Sequence, residues 1–396
     1  MVLSSLLILG PLVAAVLLWP VAHRWPRVAD AGGSFIALSL GLILSVGATG
    51  EESVALFGSA IPWEEGAATI LVALLAATGL LFLFSAIWSP GGLFAPTAMA
   101  ALSPLAVALL MPPFPIGAFA LLAATVLAAL TLTSGQPEAA LPALRYLTAG
   151  VFAFPLILLA GWIATSGQPL FTASIWRLLL PGAALLLGAV PFQFWVRPAV
   201  ASASLPAIVF IFVQVQLVVA LSLTRLIELP LVEQNELFIT ALSWLGAATA
   251  LVGGLLAVTE RDGPALIGSL LLADIGVSIV GLSLVEADLS PLLTVLLVRF
   301  ISLLLLAPDL MQRRAQPSSV AGWRQWRVML LLYGAFSLAG FPLTPGFAGR
   351  WLVVQLAAGA SFWLSLALLL ATLAGIVALL RLLASHPRLA HEHLSG

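Results

Sequence analysis

The 396-residue chain contains no cysteine and no lysine, and charged residues of every kind make up only 8% of it. Without cysteine there are no disulfides, thiolate metal sites or thiol nucleophiles, and the redox compartment stays open. All 15 basic residues in the Lys+Arg count are arginine, so any mechanism that needs a titrating membrane lysine is closed. Ordinary globular domains carry about a quarter charged residues. Here 62% of the residues are hydrophobic and the mean hydropathy is +1.17, more apolar side chain than a soluble core absorbs. A net charge of -1 gives no footprint for a nucleic acid. No phosphate loop, nucleotide fingerprint, catalytic triad or metal-ligand spacing is present, so no cofactor, metal or catalytic chemistry is expected in this chain.

Apolar runs of about 20 residues, each long enough to cross roughly 30 Å of hydrocarbon as a helix, recur along the whole length. They do not alternate as barrel strands would. The expected fold is therefore an all-α, polytopic membrane protein of about thirteen spans. These lie near residues 4–21, 32–49, 67–88, 94–111, 115–134, 143–166, 176–196, 205–227, 236–258, 264–285, 290–311, 328–356 and 361–384. The first run lacks a cleavage-site pattern and reads as a retained helix. A division follows: N-terminal peripheral helices at 1–66, a helical bundle at 67–384 and a tail at 385–396.

Arginine in short loops is retained on the cytoplasmic side. One set of loops with the C-terminal tail holds Arg24, Arg27, Arg145, Arg197, Arg261, Arg313, Arg314, Arg324, Arg327, Arg381 and Arg388. The other set holds Arg177, Arg225 and Arg350, with the acids Glu51, Glu52, Glu64, Glu65, Glu228, Glu233 and Glu236. This asymmetry places the protein in the inner (cytoplasmic) membrane with its N-terminus outside and its C-terminus cytoplasmic. His386, His391 and His393 sit in a short solvent tail and read as incidental.

Two spans are interrupted alike. The seventh carries Gly188 to Trp195 with Pro191 inside it, and the twelfth carries Leu338 to Phe347 with Pro342 and Pro345. A proline removes a backbone donor and clashes with the preceding turn, so each helix breaks there and frees carbonyls inside the membrane, or bends as an ordinary kink.

On these residues the chain resembles a family. Pro191-Phe192-Gln193-Phe194-Trp195, followed by Ala203-Ser204-Leu205-Pro206-Ala207 and a long apolar span, resembles the Pro-Phe-His-x-Trp segment of the antiporter-like membrane subunits of respiratory complex I, the Mrp antiporters and membrane hydrogenases. Ser337 to Pro342 with Gly346-Phe347-Ala348-Gly349-Arg350 is similar to that family's Ser-Leu-x-Gly-x-Pro and Gly-Phe-x-x-Lys. Glu260-Arg261-Asp262 and Ala273-Asp274-Ile275-Gly276 are similar to its Asp-x-Lys-Arg loop and the helix after it. The resemblance covers roughly residues 67 to 384 and implies two inverted five-helix repeats, spans four to eight and nine to thirteen, with helices seven and twelve broken.

It also implies a row of buried charges, which transfers mostly as blanks. The family's glutamate falls near Ala124 or Thr125, its seventh-helix lysine on Leu186, and its eighth-helix lysine on Gln216 or Gln214. The twelfth span is expected to offer no acid or lysine. Two deep ionisable residues remain, Asp274 and Arg299, each roughly 16 to 18 Å from the inner helix ends at 1.5 Å per residue. They are expected to pair, either as a packing element or with Asp274 as a proton carrier, since a guanidinium does not give up its proton. Gln214 and Gln216 read as interhelical hydrogen-bonding groups or as points on a water path. The expected role is an antiporter-like subunit of a complex I-type (NADH-quinone oxidoreductase-like) or related complex, degenerate in its proton-translocating residues and packed against other membrane subunits in the lipid bilayer. A stand-alone secondary transporter and a still-active ion-translocating subunit are the alternatives.

Overall fold

The computed structural model describes residues 2–47, 54–56, 59–61, 65–88, 92–110, 113–134, 136–166, 175–227, 236–284, 289–312 and 321–385. Most of the acidic cluster at 51–65, the arginines at 313–314 and the histidine tail fall outside them.

The apolar runs fold into helices, a few of which start on proline or glycine, at Pro26, Gly263 and Pro345. Their ranges are α1 (Val2–Arg24), α2 (Pro26–Gly47), α3 (Glu65–Trp88), α4 (Phe94–Leu110), α5 (Ala118–Leu132), α6 (Ala140–Ser166) and α7 (Ile175–Leu187). There follow α8 (Val196–Ser202), α9 (Leu205–Val209), α10 (Gln216–Ile227), α11 (Glu236–Thr259), α12 (Gly263–Ser283), α13 (Ser290–Gln312), α14 (Ala321–Ala339), α15 (Pro345–Ala360) and α16 (Phe362–Ser385). A π-helical segment, Phe210–Val215, joins α9 to α10 in one continuous span. The all-α expectation needs one small amendment, an antiparallel hairpin of β1 (Val54–Leu56) and β2 (Ser59–Ile61).

Among the described residues eight helical stretches are long and apolar enough to cross a membrane, and five shorter apolar helices are not. Length alone therefore does not establish thirteen crossings. The second helix starts at Pro26, six residues before the expected boundary, because proline is tolerated where the first N–H has no intrahelical acceptor. That shift brings Asp30 inside α2.

The contacts fall into two units. The first is Met1–Leu186 with Ser202–Gln234. Within it α1 packs on α2 and α4, α2 on α3, and α5 on α4 and α6. The second is Leu187–Ala201 with Asn235–Gly396. Within it α11 packs on α12 and α16, and α13 on α14 and α15. The approach of α11 to α12 is backbone to backbone: a Cβ added at Gly246 would stand 2.8 Å from the carbonyl oxygen of Gly276. Small residues permit such contact between membrane helices.

Among the described residues, one long span in each unit is almost wholly buried. Leu205–Ile227 in the first and Gly263–Ser283 in the second are 94% buried, against 33% for Phe362–Ala384. These two wrapped spans carry Gln214, Gln216 and Asp274, so the expected polar positions are interior ones.

Both helix breaks are present. After α7 the chain turns through Gly188 (φ 69°) and a cis Val190–Pro191 peptide. It then makes a 3-10 turn at Gln193–Trp195 before α8. Val190 N–H donates to Thr249 Oγ1 on α11 at 3.1 Å, so one freed donor is satisfied. After α14 the chain turns through Gly340 (φ 77°) and Leu343 (φ 75°). Thr344, in extended conformation, precedes Pro345 at the start of α15. Ser337 Oγ accepts from Gly346 N–H at 3.1 Å and from Ser302 Oγ at 2.7 Å, tying this break to α13.

Candidate functional site

The second unit holds a buried charged cluster on α12, α13, α14, α15 and α16. Asp274 lies eleven residues after Gly263, about 17 Å along α12 at 1.5 Å per residue. Arg299 Nε on α13 donates to Asp274 Oδ2 at 2.6 Å. Its Nη2 donates to the Asp274 carbonyl at 3.1 Å and to Ser278 Oγ, one turn further along α12. The Arg299 side chain is fully enclosed. Matching depth on consecutive antiparallel helices is what brings this pair together.

The cluster has a third member. The arginine asymmetry sets Arg350 among the outer-loop charges, in a twelfth span that offers no acid or lysine. Instead Arg350 sits on α15, 4% exposed. Its Nη2 donates to Asp274 Oδ1 at 3.4 Å and to the Leu338 carbonyl at 2.6 Å, and its Nη1 donates to Thr372 Oγ1 at 3.3 Å. One guanidinium thus caps the broken end of α14, braces α16 and shares the carboxylate. Gly340 makes room for it, since a Cβ there would meet Arg350 Nε at 2.9 Å. The signal was in the sequence: Arg350 stands where the Gly-Phe-x-x-Lys pattern has its lysine. Two guanidiniums share one carboxylate.

Among the described residues of the first unit, the fully buried polar side chains are neutral apart from one acid. Gln214 lies in the π-helical segment, 1% exposed, and its Oε1 accepts from Thr78 Oγ1 of α3 at 2.8 Å. Gln216 is 4% exposed in the first turn of α10. A single π-turn inside a span is common at functional positions. Of Ala124 and Thr125, the two residues nearest the expected glutamate position, both are buried and Thr125 hydrogen-bonds the buried Tyr146 phenol. Leu186 is buried on α7. Sequence reasoning missed Asp30 on α2, fully buried, whose Oδ2 accepts from Ser85 Oγ on α3 at 2.7 Å. Pro26 was the available signal, because it places Asp30 inside a helix.

The loop residues Glu260, Arg261 and Asp262 form the turn between α11 and α12. Glu260 pairs with Arg197 of α8, and its carbonyl accepts from Arg381 of α16. Arg261 and Asp262 are exposed. The breaks at Pro191 and at Pro342 and Pro345 lie at the Arg197 end and at the Arg350 cluster respectively.

Comparison with known proteins places this geometry. NADH-quinone oxidoreductase subunit N of Chromohalobacter salexigens is 29% identical over 213 residues, covering 51% of this chain and 44% of that one. The subunit N of Erythrobacter litoralis is 30% identical over 202 residues, covering 48% and 41%. Each alignment spans less than half of the relative's length. The fold is shared with a chain of the Mrp complex from Dietzia sp. (TM-score 0.79, 16% identity, covering 97% of this chain and 80% of that one). It is shared also with a chain of respiratory complex I from Thermus thermophilus (TM-score 0.71, 19% identity, covering 96% and 88%). The family described as NADH:quinone oxidoreductase/Mrp antiporter, TM, matches residues 143–376, more than half of the sequence. The chain belongs to that family of antiporter-like transmembrane proteins.

Proposed function

We propose that this chain is an antiporter-like membrane subunit of a complex I-type or related assembly, largely structural and without a complete proton-carrying row of its own. One observation carries the reading: the deep cluster joins Asp274 to two guanidiniums, Arg299 and Arg350, with no titratable cation among them. Proton passage through a membrane protein uses groups that exchange protons near physiological pH, and arginine does not. Leu186, Thr125, Gln214 and Gln216 at the other matched positions support the same conclusion. Reduction and oxidation belong to partner subunits, and this chain contributes helices for them to pack on.

Solubilisation in mild detergent followed by affinity purification tests the reading. The chain is expected to arrive with other membrane subunits, and proton translocation per assembled complex is expected to survive neutralisation of Asp274, Arg299 and Arg350 together. A chain stable and homogeneous alone supports a stand-alone transporter instead, and a complex that assembles yet no longer moves protons gives the cluster a conducting role. We also place the N-terminus outside and the C-terminus in the cytoplasm, from the arginine asymmetry. A reporter fused at Gly396 is expected to read cytoplasmic, and a periplasmic signal inverts the orientation.

A further inference from the structure

The second helix break lies at mid-depth and faces away from the rest of the chain. From Arg327 to Ala339, α14 rises about 18 Å at 1.5 Å per residue. Arg350 then joins the Leu338 carbonyl to the carboxylate of Asp274, which is deep in the second unit. The turn that follows is uncovered: Pro342 is exposed, and Leu343 is 93% exposed. At that value almost the whole residue is accessible, its backbone included. Leu343 also holds φ at 75°, a left-handed conformation that suits glycine, yet a leucine occupies it and projects outward.

The backbone of this turn has more acceptors than donors. Gly340 N–H donates to the Ser337 carbonyl, Phe341 N–H to Phe336 and Thr344 N–H to Phe341, while Pro342 and Pro345 have no N–H to give. Among the described residues, no hydrogen bond reaches the carbonyls of Pro342 and Leu343. Irregular backbone at membrane depth persists only where protein covers it or water lines it, because hydrocarbon supplies no donor. Water matches the neighbouring surface poorly. Phe347 and Trp351, on successive turns of α15, are 36% and 43% exposed and stack with ring centroids 5.7 Å apart. Lipid matches it poorly as well, since Gln355, one turn further, is exposed and its carboxamide finds no partner in hydrocarbon. A protein helix with an apolar face and a few polar side chains satisfies both.

We propose that the stripe of Leu343, Phe347, Trp351 and Gln355 seats a transmembrane helix of another membrane subunit. This rests on the reading of the chain as an assembly subunit and names the face it uses. The partner helix offers a hydroxyl or carboxamide donor to the open carbonyls of Pro342 and Leu343 and takes the Leu343 side chain between its own. It places a second polar side chain opposite Gln355, about 15 Å further along α15 from Pro345. The donor is a side chain, because the N–H groups inside a continuous helix are spent on its own carbonyls.

The experiment is photo-cross-linking of the whole assembly in native membranes, with p-benzoylphenylalanine in place of Leu343. The adduct is expected to map, by mass spectrometry, to a transmembrane span of a different subunit that carries Ser, Thr, Asn or Gln within a turn of the cross-link. The chain has no cysteine, so Leu343→Cys reports access on its own, and it is expected to resist a membrane-impermeant maleimide in the intact assembly. Leu343→Gly suits the observed φ and is expected to fold, but to lower the partner recovered with the chain across a detergent titration about fivefold. Adducts to lipid alone, adducts to a second copy of this chain, ready labelling of Leu343→Cys by the impermeant reagent, or undiminished partner recovery with Leu343→Gly each overturn the proposal. A chain that purifies with no other subunit defeats the subunit reading itself, whereas one that arrives with partners but cross-links from position 343 to lipid alone defeats only this docking face.

Discussion

The two units solve the same problem, polar side chains on a span wrapped by protein, in opposite ways. In the first, Gln214 and Thr78 meet as neutral partners, as do Thr125 and Tyr146, and the acid Asp30 accepts from the hydroxyl of Ser85. In the second, Asp274 stands between Arg299 and Arg350. Losing a neutral partner strands one dipole, whereas losing the carboxylate strands two full charges in a medium that stabilises neither. The charged unit is therefore the more tightly specified of the two.

Mutations break this comparison along a graded series. Asp274→Asn is expected to have the largest effect, because it leaves both guanidiniums without their carboxylate; removal of one member of a buried pair costs about 3–5 kcal/mol. Arg299→Leu is expected to destabilise less, since Asp274 and Arg350 remain as a balanced pair. Thermal denaturation followed by size-exclusion chromatography in detergent orders the two. Equal losses would show that charge balance is not what holds the cluster.

Next comes Asp30→Leu in the first unit, which removes the buried hydrogen bond that Ser85 Oγ donates to the carboxylate, an effect of about 1–3 kcal/mol. The same melting assay reads it, and Asp30→Asn is expected to retain most of the stability because its amide oxygen still accepts. The smallest effect is expected for Gln214→Leu, about 1 kcal/mol. Thr78 Oγ1 also lies 2.7 Å from the Leu74 carbonyl, and its single hydroxyl proton turns to that acceptor when Gln214 is gone. A loss at Gln214 as large as at Asp274 would erase the distinction between the units.

Features set by local chemistry were legible in the sequence. Pro191 and Pro342 marked the breaks in company with Gly188 and Gly340, which take positive φ there, whereas Pro11, Pro20, Pro104, Pro155 and Pro181 sit inside continuous helices. The pairing of Asp274 with Arg299 followed from helical rise alone. Arg350 and Asp30 were not legible by the same route. Each lies near an expected span end, where a charge reads as a loop marker, and only the observed helix start at Pro26 and the fold-back of Arg350 onto Leu338 take them inside. The grouping of Leu187–Ala201 with the C-terminal unit was invisible too, since it depends on contacts with α11 and α12 far along the chain.

The close seam between α11 and α12 has a consequence for biogenesis. Only Glu260, Arg261 and Asp262 separate the two helices, and Gly246 and Gly276 let their backbones touch. A helix with a carboxylate at mid-depth enters the bilayer poorly by itself, at a penalty of about 2.5–3.5 kcal/mol for the aspartate. A hairpin zipped along the glycine seam is expected to ease that penalty, because α11 covers a side of α12 and precedes α13 in the chain. Asp274 then waits in the membrane for Arg299, and Arg350 arrives last, closing the cluster only when nearly the whole second unit has been made.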